Sequence, residues 1–189
     1  MEDKLIAVTG GIGSGKSEVI KILKNCGYNV LSCDDFTPLA YADPEIKKFL
    51  INTFGTDRKE EIKKIAFSDP FKYNELKEVV TAKVFELTIE KAQKSGGTVF
   101  VEVPLLFECG YEEVFDSVMV IKRDLSERIK SVVSRSGLMP SEVSERIAAQ
   151  LNYDKADLSK YIVINNNGSI DDLKKELSVA IKKMLNCSL

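Results

Sequence analysis

The chain contains no histidine and no tryptophan among its 189 residues. The missing histidine removes His-based triads, imidazole general bases and histidine-ligated zinc. Any proton acceptor here is therefore a carboxylate, lysine, tyrosine or cysteine. Cysteine is sparse: Cys26, Cys33, Cys109 and Cys187 lie far apart, form no CxxC pair and read as free thiols in a reducing compartment. No apolar run approaches the roughly 20 residues of a membrane span. The first apolar run starts at Leu5, which leaves no room for a signal peptide. A net charge of −2 supplies no general attraction for nucleic acid or anionic membranes. These absences predict a cytoplasmic protein with no nucleic-acid or membrane partner, present as a monomer or small homo-oligomer.

What is there is ordinary for a globular protein, with 44% hydrophobic and 30% charged residues. The length suits one substantial core with a small appended subdomain. The organising stretch is Leu5-Ile-Ala-Val-Thr-Gly-Gly-Ile-Gly-Ser-Gly-Lys-Ser17, with Gly10 and Gly15-Lys16-Ser17 at the full Walker A spacing. Leu5 to Val8 reads as a buried strand and Lys16 to Asn25 as a helix. Between them Gly10, Gly11, Gly13 and Gly15 let backbone N–H groups turn inward around phosphate oxygens, backed by the positive helix end. Lys16 would reach the β- and γ-phosphates and Ser17 would ligate Mg²⁺. The pattern predicts a nucleoside triphosphate site.

Five β-rich runs, near 5–9, 28–32, 98–103, 117–122 and 161–165, alternate with helix-length segments. Such alternation predicts an α/β fold with a parallel five-stranded sheet flanked by helices. Residues 36–97 interrupt the alternation with several predicted helices, read as an acceptor-binding subdomain. In that stretch Asp69 caps a helix that starts at Pro70 and runs to Lys94, about 37 Å long. A second irregular segment, 124–157, pairs Asp124 with Glu127 in a capping pattern, breaks at Pro140 and restarts with Ser141 as cap. It carries Arg128, Lys130, Arg135 and Arg146 and reads as a basic lid. Ser169 with Asp172 opens a final amphipathic helix reaching about Leu185.

In an open α/β sheet ligands sit beyond the carboxyl ends of the strands. After the second strand come Asp34 and Asp35, candidates for the base that phosphoryl transfer requires; the alternative role for both is helix N-cap. Glu102 ends the central strand and resembles the acidic Walker B position, a second metal contact beside Ser17. Pro104-Leu105-Leu106-Phe107-Glu108 is read as core or as one wall of an acceptor pocket. The lid arginines, Arg135 foremost, would neutralise charge on the phosphates. The Asn165 to Gly168 turn, on the same edge, would contact the base.

Taken together the chain resembles the dephospho-CoA kinase family, collinearly from about Leu5 to Leu173. The particular signatures are Thr9 to Ser17, Asp34, Gly55, Asp57-Arg58, Phe67, Val103-Pro-Leu-Leu-Phe-Glu108, Arg135, Arg146-Ile-Ala-Ala-Gln150 and Asn166-Asn-Gly168. The resemblance implies a P-loop kinase core, a helical CoA-binding subdomain and a lid. It implies ATP-dependent phosphorylation of the ribose 3′-hydroxyl of dephospho-CoA with Mg²⁺, the last step of CoA biosynthesis. It makes Asp34 the base, with Lys16 and Arg135 acting on the phosphates. Gly11, Gly13, Ser14, Gly15, Lys16, Ser17, Glu18, Arg135 and Asn167 would bind ATP. Asp34, Pro104, Leu105, Leu106, Glu108 and Arg146 would bind the acceptor. Four places depart from the family pattern: Glu18 for a threonine, Pro38 for an arginine, Thr81-Ala82 for a His-Pro pair and Ser131 for a first lid arginine. Arg128 or Lys130 would stand in for the last. The alternatives are another small-molecule or nucleotide P-loop kinase and, from a different class, a non-catalytic nucleotide-binding protein.

Overall fold

Val99, Phe100 and Val101 follow one another with no polar residue between them, and a strand hides such a run only when both of its faces are covered. In the computed structural model, which describes residues 3–186, all three are buried in β3 (Thr98–Glu102). Cys187 lies outside the described residues. The other strands are β1 (Lys4–Thr9), β2 (Asn29–Ser32), β4 (Ser117–Lys122) and β5 (Ile162–Asn165), in the sheet order β2-β3-β1-β4-β5. β1 runs parallel to β3 with Val8 opposite Glu102, and parallel to β4 with Val8 opposite Met119. The five strands coincide with the apolar runs to within a residue or two.

The helices are α1 (Lys16–Asn25), α2 (Cys33–Ala42), α3 (Pro44–Phe54), α4 (Lys59–Ser68), α5 (Pro70–Ser95), α6 (Leu125–Ser136), α7 (Pro140–Ala148) and α8 (Ile170–Asn186). By compactness the chain divides into two units. One runs to Leu31 and resumes at Ser95; the other is Ser32–Lys94. The first unit contains the main core: Ile6, Val8, Phe100, Met119, Ile121 and Ile164 from the sheet meet Val19 and Leu23 of α1 and Leu173 and Leu177 of α8. Each such side chain contributes about 1.5–3 kcal/mol on burial. Tyr28 adds an edge-on contact to Phe100, with centroids 5.2 Å apart.

The second unit is all helix. Asp43 caps α3, its carboxylate accepting from the Glu45 and Ile46 amides, with Pro44 at the first helical position. Asp69 does the same for α5 by accepting from the Phe71 and Lys72 amides. Lys83 stands among Asp43, Glu45 and Glu86 at 3.7, 3.6 and 3.0 Å. Ile46, Leu50, Phe54, Ile62, Val80 and Val84 are buried.

Several local expectations change. α2 starts at Cys33 with Ser32 as N-cap residue, so Asp34 and Asp35 are first-turn residues, not caps. α7 starts at Pro140, and Glu142 reaches back to accept from the Met139 amide; Ser141 does not cap it, because proline fits the first helical position and needs no donor. Asp124 is the N-cap residue of α6 by position, but its side chain makes no cap bond. The Ser169–Asp172 pair does form its reciprocal box at the start of α8. Among the described residues Cys26, Cys33 and Cys109 form no disulfide.

Candidate active site

β1 ends at Thr9 and α1 begins at Lys16, so six residues turn the chain at the carboxyl end of the central strand. Gly13 and Gly15 have φ of 78° and 96°, closed to most side chains. A Cβ on Gly15 would also overlap the Asn166 amide, and one on Gly10 the Ile121 carbonyl. The Lys16 ammonium lies across the loop, donating to the Gly10 and Gly11 carbonyls at 2.7 and 3.2 Å. Ser17 is exposed in the first turn of α1. Glu18 occupies the same turn, where the helix dipole favours a carboxylate; this accounts physically for its place after the loop.

Side chains from elsewhere in this unit hold the loop. The Ile12 amide donates to Gln150 Oε1 at 2.7 Å, and the Ile12 carbonyl accepts from Arg128 Nε at 2.9 Å. The Asn166 amide donates to the Ser14 carbonyl at 2.9 Å. Thr9 and Ser14 are buried, and neither hydroxyl has a hydrogen-bond partner among the described residues. Tyr153 is buried beside them, and burial pushes its phenol up to about 12, against a smaller opposing influence of the Thr9 hydroxyl. Burial likewise lowers the pKa of Arg128, while Asp154 and Tyr153 oppose that shift.

The remaining expected residues fall in different surroundings. Glu102 is half-buried at the end of β3, level with Val8 of β1. After it Pro104 and Leu105 are half-buried and Leu106 is fully buried. Phe107 packs its ring against Tyr153 and Tyr161, with centroids 6.1 and 5.1 Å away. Glu108 Oε1 accepts from the Leu151 amide at 2.9 Å. Asn167 exchanges two 2.8 Å bonds with Asp124, amide to carboxylate and backbone N–H to amide oxygen. Arg135 and Arg146 are exposed on α6 and at the end of α7, with no ion pair among the described residues. In the helical unit Asp34 is exposed in the first turn of α2. Pro38, four residues on, has no N–H to offer the Asp34 carbonyl.

The structure thus brings Gly11, Gly13, Ser14, Gly15 and Lys16 together with Arg128, Gln150, Tyr153 and Asn166. Gln150 and Tyr153 were not expected at the site; Arg128 was expected only as a stand-in lid residue, and Asn166 only as part of the turn at the base. Arg128 had a signal, as one of four basic residues on a segment read as a lid. Gln150 and Asn166 lay within the runs 146–150 and 166–168 that resemble the family. Tyr153 had none, since no local spacing links an isolated tyrosine to a loop 140 residues earlier.

Comparison with known proteins decides which phosphate-loop family this is. The dephospho-CoA kinase profile matches residues 4–172. The chain belongs to the dephospho-CoA kinase family. The family's enzymes are kinases of the last step of CoA biosynthesis, which leaves the other small-molecule kinases unfavoured. The dephospho-CoA kinase of Thermus thermophilus is 32% identical, over 95% of this chain and 91% of that protein. Its counterpart from Fusobacterium nucleatum is 29% identical, over 94% and 96%. A crystal structure from Thermus thermophilus is similar with a TM-score of 0.81 and 32% identity, covering 97% of this chain and 98% of that one. A shikimate kinase from Bacteroides thetaiotaomicron, at TM-score 0.55 and 10% identity over 97% and 98%, shares the fold alone. Among the described residues no helix is long and apolar enough to cross a membrane.

Proposed function

We propose that this chain transfers the γ-phosphoryl group of ATP to the ribose 3′-hydroxyl of dephospho-CoA, giving CoA and ADP. One observation carries the reading: a complete phosphate loop, with Lys16 lying across it, on a chain that matches the family over residues 4–172. In the transfer the 3′-oxygen bonds to the γ-phosphorus and the bond to the ADP oxygen breaks. The 3′-hydroxyl proton passes to the Asp34 carboxylate, which follows the second strand and stands where the family resemblance puts the base.

The loop amides and Lys16 hold the phosphates, Arg135 neutralises charge on them from the 124–157 lid, and Asn167 borders the base. The helices of 36–97 take the acceptor, with Pro104, Leu105, Glu108 and Arg146; Leu106 supports that wall from the core. In the helical unit, Tyr41, Lys63, Phe67 and Tyr73 line an open groove suited to a ligand with apolar and anionic parts.

Among the described residues no group of three or more His, Cys, Asp or Glu side chains forms a cation site. One hydroxyl and one carboxylate, Ser17 and Glu102, fit a divalent ion that arrives with the nucleotide and keeps its waters. When bound, Mg²⁺ neutralises the β- and γ-phosphate oxygens. We place the enzyme in the cytoplasm.

The test is a coupled ADP-release assay over a panel of hydroxyl and phosphate acceptors. Dephospho-CoA is expected to give the highest kcat/KM. Turnover of another acceptor with none on dephospho-CoA would overturn the reading.

A further inference from the structure

Ile12 lies in the phosphate loop between two glycines, and both of its peptide groups are held by remote side chains. Gln150 Oε1 accepts its N–H, and Arg128 Nε donates to its carbonyl. Arg128 comes from α6 and Gln150 from just after α7, so both helices of the basic segment are tied to one loop residue. The neighbouring glycines carry the imprint of the same arginine. Gly11 is absent from the positive-φ glycines, so no backbone strain calls for glycine there. A Cβ at this position would overlap the Arg128 guanidinium. Gly13 faces the Arg128 backbone in the same way.

Arg128 is poorly arranged for stability alone. Its residue surface is 6% exposed, and among the described residues it has no ion pair and its buried Nη2 has no hydrogen-bond partner. A buried cation left unpaired destabilises a fold, and an apolar side chain of similar volume would serve packing as well or better. Lys130, the other basic candidate on this turn, is exposed and paired with Glu127 at 2.6 Å. What distinguishes Arg128 is its location against a loop whose ligand is a polyanion.

We propose that Arg128 is a positioning residue for the nucleotide. With Gln150 it clamps the Ile12 peptide groups, so that the loop amides stay aimed at the phosphates, and its unpaired charge favours the polyanion. The proposal rests on the nucleotide-binding reading of the loop. It assigns Gly11 a second job beside phosphate binding: making room for the clamp.

The test measures ATP and ADP affinity by calorimetric titration with Mg²⁺, thermal midpoint, and the kcat and KM for ATP. The proteins are wild type, Arg128→Met, Arg128→Lys, Gln150→Met and the Arg128→Met/Gln150→Met double variant. Arg128→Met is expected to weaken nucleotide binding about tenfold, the scale of one charge-assisted hydrogen bond. Its thermal midpoint should be unchanged or higher, and KM for ATP should rise far more than kcat falls. Arg128→Lys restores part of the affinity by keeping the charge. The double variant loses less than the product of the single losses, because both act on Ile12. If Arg128→Met is insoluble, Arg128→Lys and Gln150→Met carry the test through the same weakening. Unchanged nucleotide affinity, or weakening that only tracks a lower thermal midpoint, overturns the clamp and leaves the kinase reading standing. A wild-type chain that binds no nucleotide overturns both.

Discussion

The phosphate loop and the helical unit are built by opposite means. The loop is secured by side chains 116, 138 and 152 residues away in sequence, from Arg128, Gln150 and Asn166. The helices of Ser32–Lys94 owe most of their polar bonds to neighbours two to four residues away, such as the Asp43 and Asp69 caps, Arg58 with Glu61 and Thr88 with the Val84 carbonyl. Lys83, joining α5 to the start of α3, is an exception. A region specified locally tolerates change piece by piece, whereas a region specified at long range ties function to several distant elements at once.

That contrast can be broken or sharpened by experiment. The largest effect is expected in the loop itself: Lys16→Ala should lower kcat/KM about a thousandfold, near 4 kcal/mol of transition-state stabilisation. Turnover within tenfold of wild type would remove the loop from its central role. Asp34→Asn, in the helical unit, should lower kcat by about a hundredfold or more with ATP affinity kept. Loss of ATP affinity with kcat unchanged would move Asp34 out of the base role and into binding.

The next effect is on stability. Leu50 is fully buried in α3, and Leu50→Ala should cost about 3 kcal/mol in denaturant unfolding. A cost below about 1 kcal/mol would mean that the helical unit lacks the core described. Tyr153 gives a smaller, pH-dependent signal. Its folded pKa is near 12, above the ordinary tyrosine value. The unfolded chain therefore loses the proton first, and the stabilising contribution, complete below about pH 10, is lost as pH rises toward 12. Tyr153→Phe should flatten that alkaline limb; equal slopes would show that the phenol is not buried.

Asp43 supplies the smallest effect, at the other end of the scale. Desolvation pushes its pKa up, but the Glu45 and Ile46 amides and the Lys83 ammonium outweigh it and hold it below the usual value. Its contribution is present above about pH 4 and lost as pH falls through the lowered pKa. Asp43→Asn should flatten the acid limb of thermal midpoint against pH. An unaltered limb would exclude the cap and its lysine as a source of acid sensitivity.

How much of this was legible follows the same division. The strands announced themselves as apolar runs and the Pro70 helix by its Asp-Pro start, both local signals. The ends of helices were less readable where a residue had two possible employers. The Asp124 side chain bonds Asn167 instead of its own helix, and Ser141 yields to Glu142. The phosphate loop was legible as a motif and gave the reaction class, phosphoryl transfer to a small molecule; the family resemblance supplied the acceptor. Its supports were not legible, because helical periodicity shows which face Arg128 shares and says nothing of what that face meets. Arg135, favoured on family spacing, lies exposed, while Arg128, a stand-in on that reading, packs against Gly11.

The long-range fastening of the loop bears on how the protein is made. β1 and the loop leave the ribosome before the elements they depend on: β1 waits for β3 at Thr98 and β4 at Ser117 before it has neighbours on both sides. Ile12 and Ser14 wait longer still, until Gln150 and Asn166 have been synthesised. At about 5–20 residues per second, the nascent chain carries its nucleotide loop without those fasteners for on the order of ten seconds. The helices of 32–94, closed by nearby contacts, need no such delay. A segment translated well ahead of its fasteners is thus among the last to acquire its working shape.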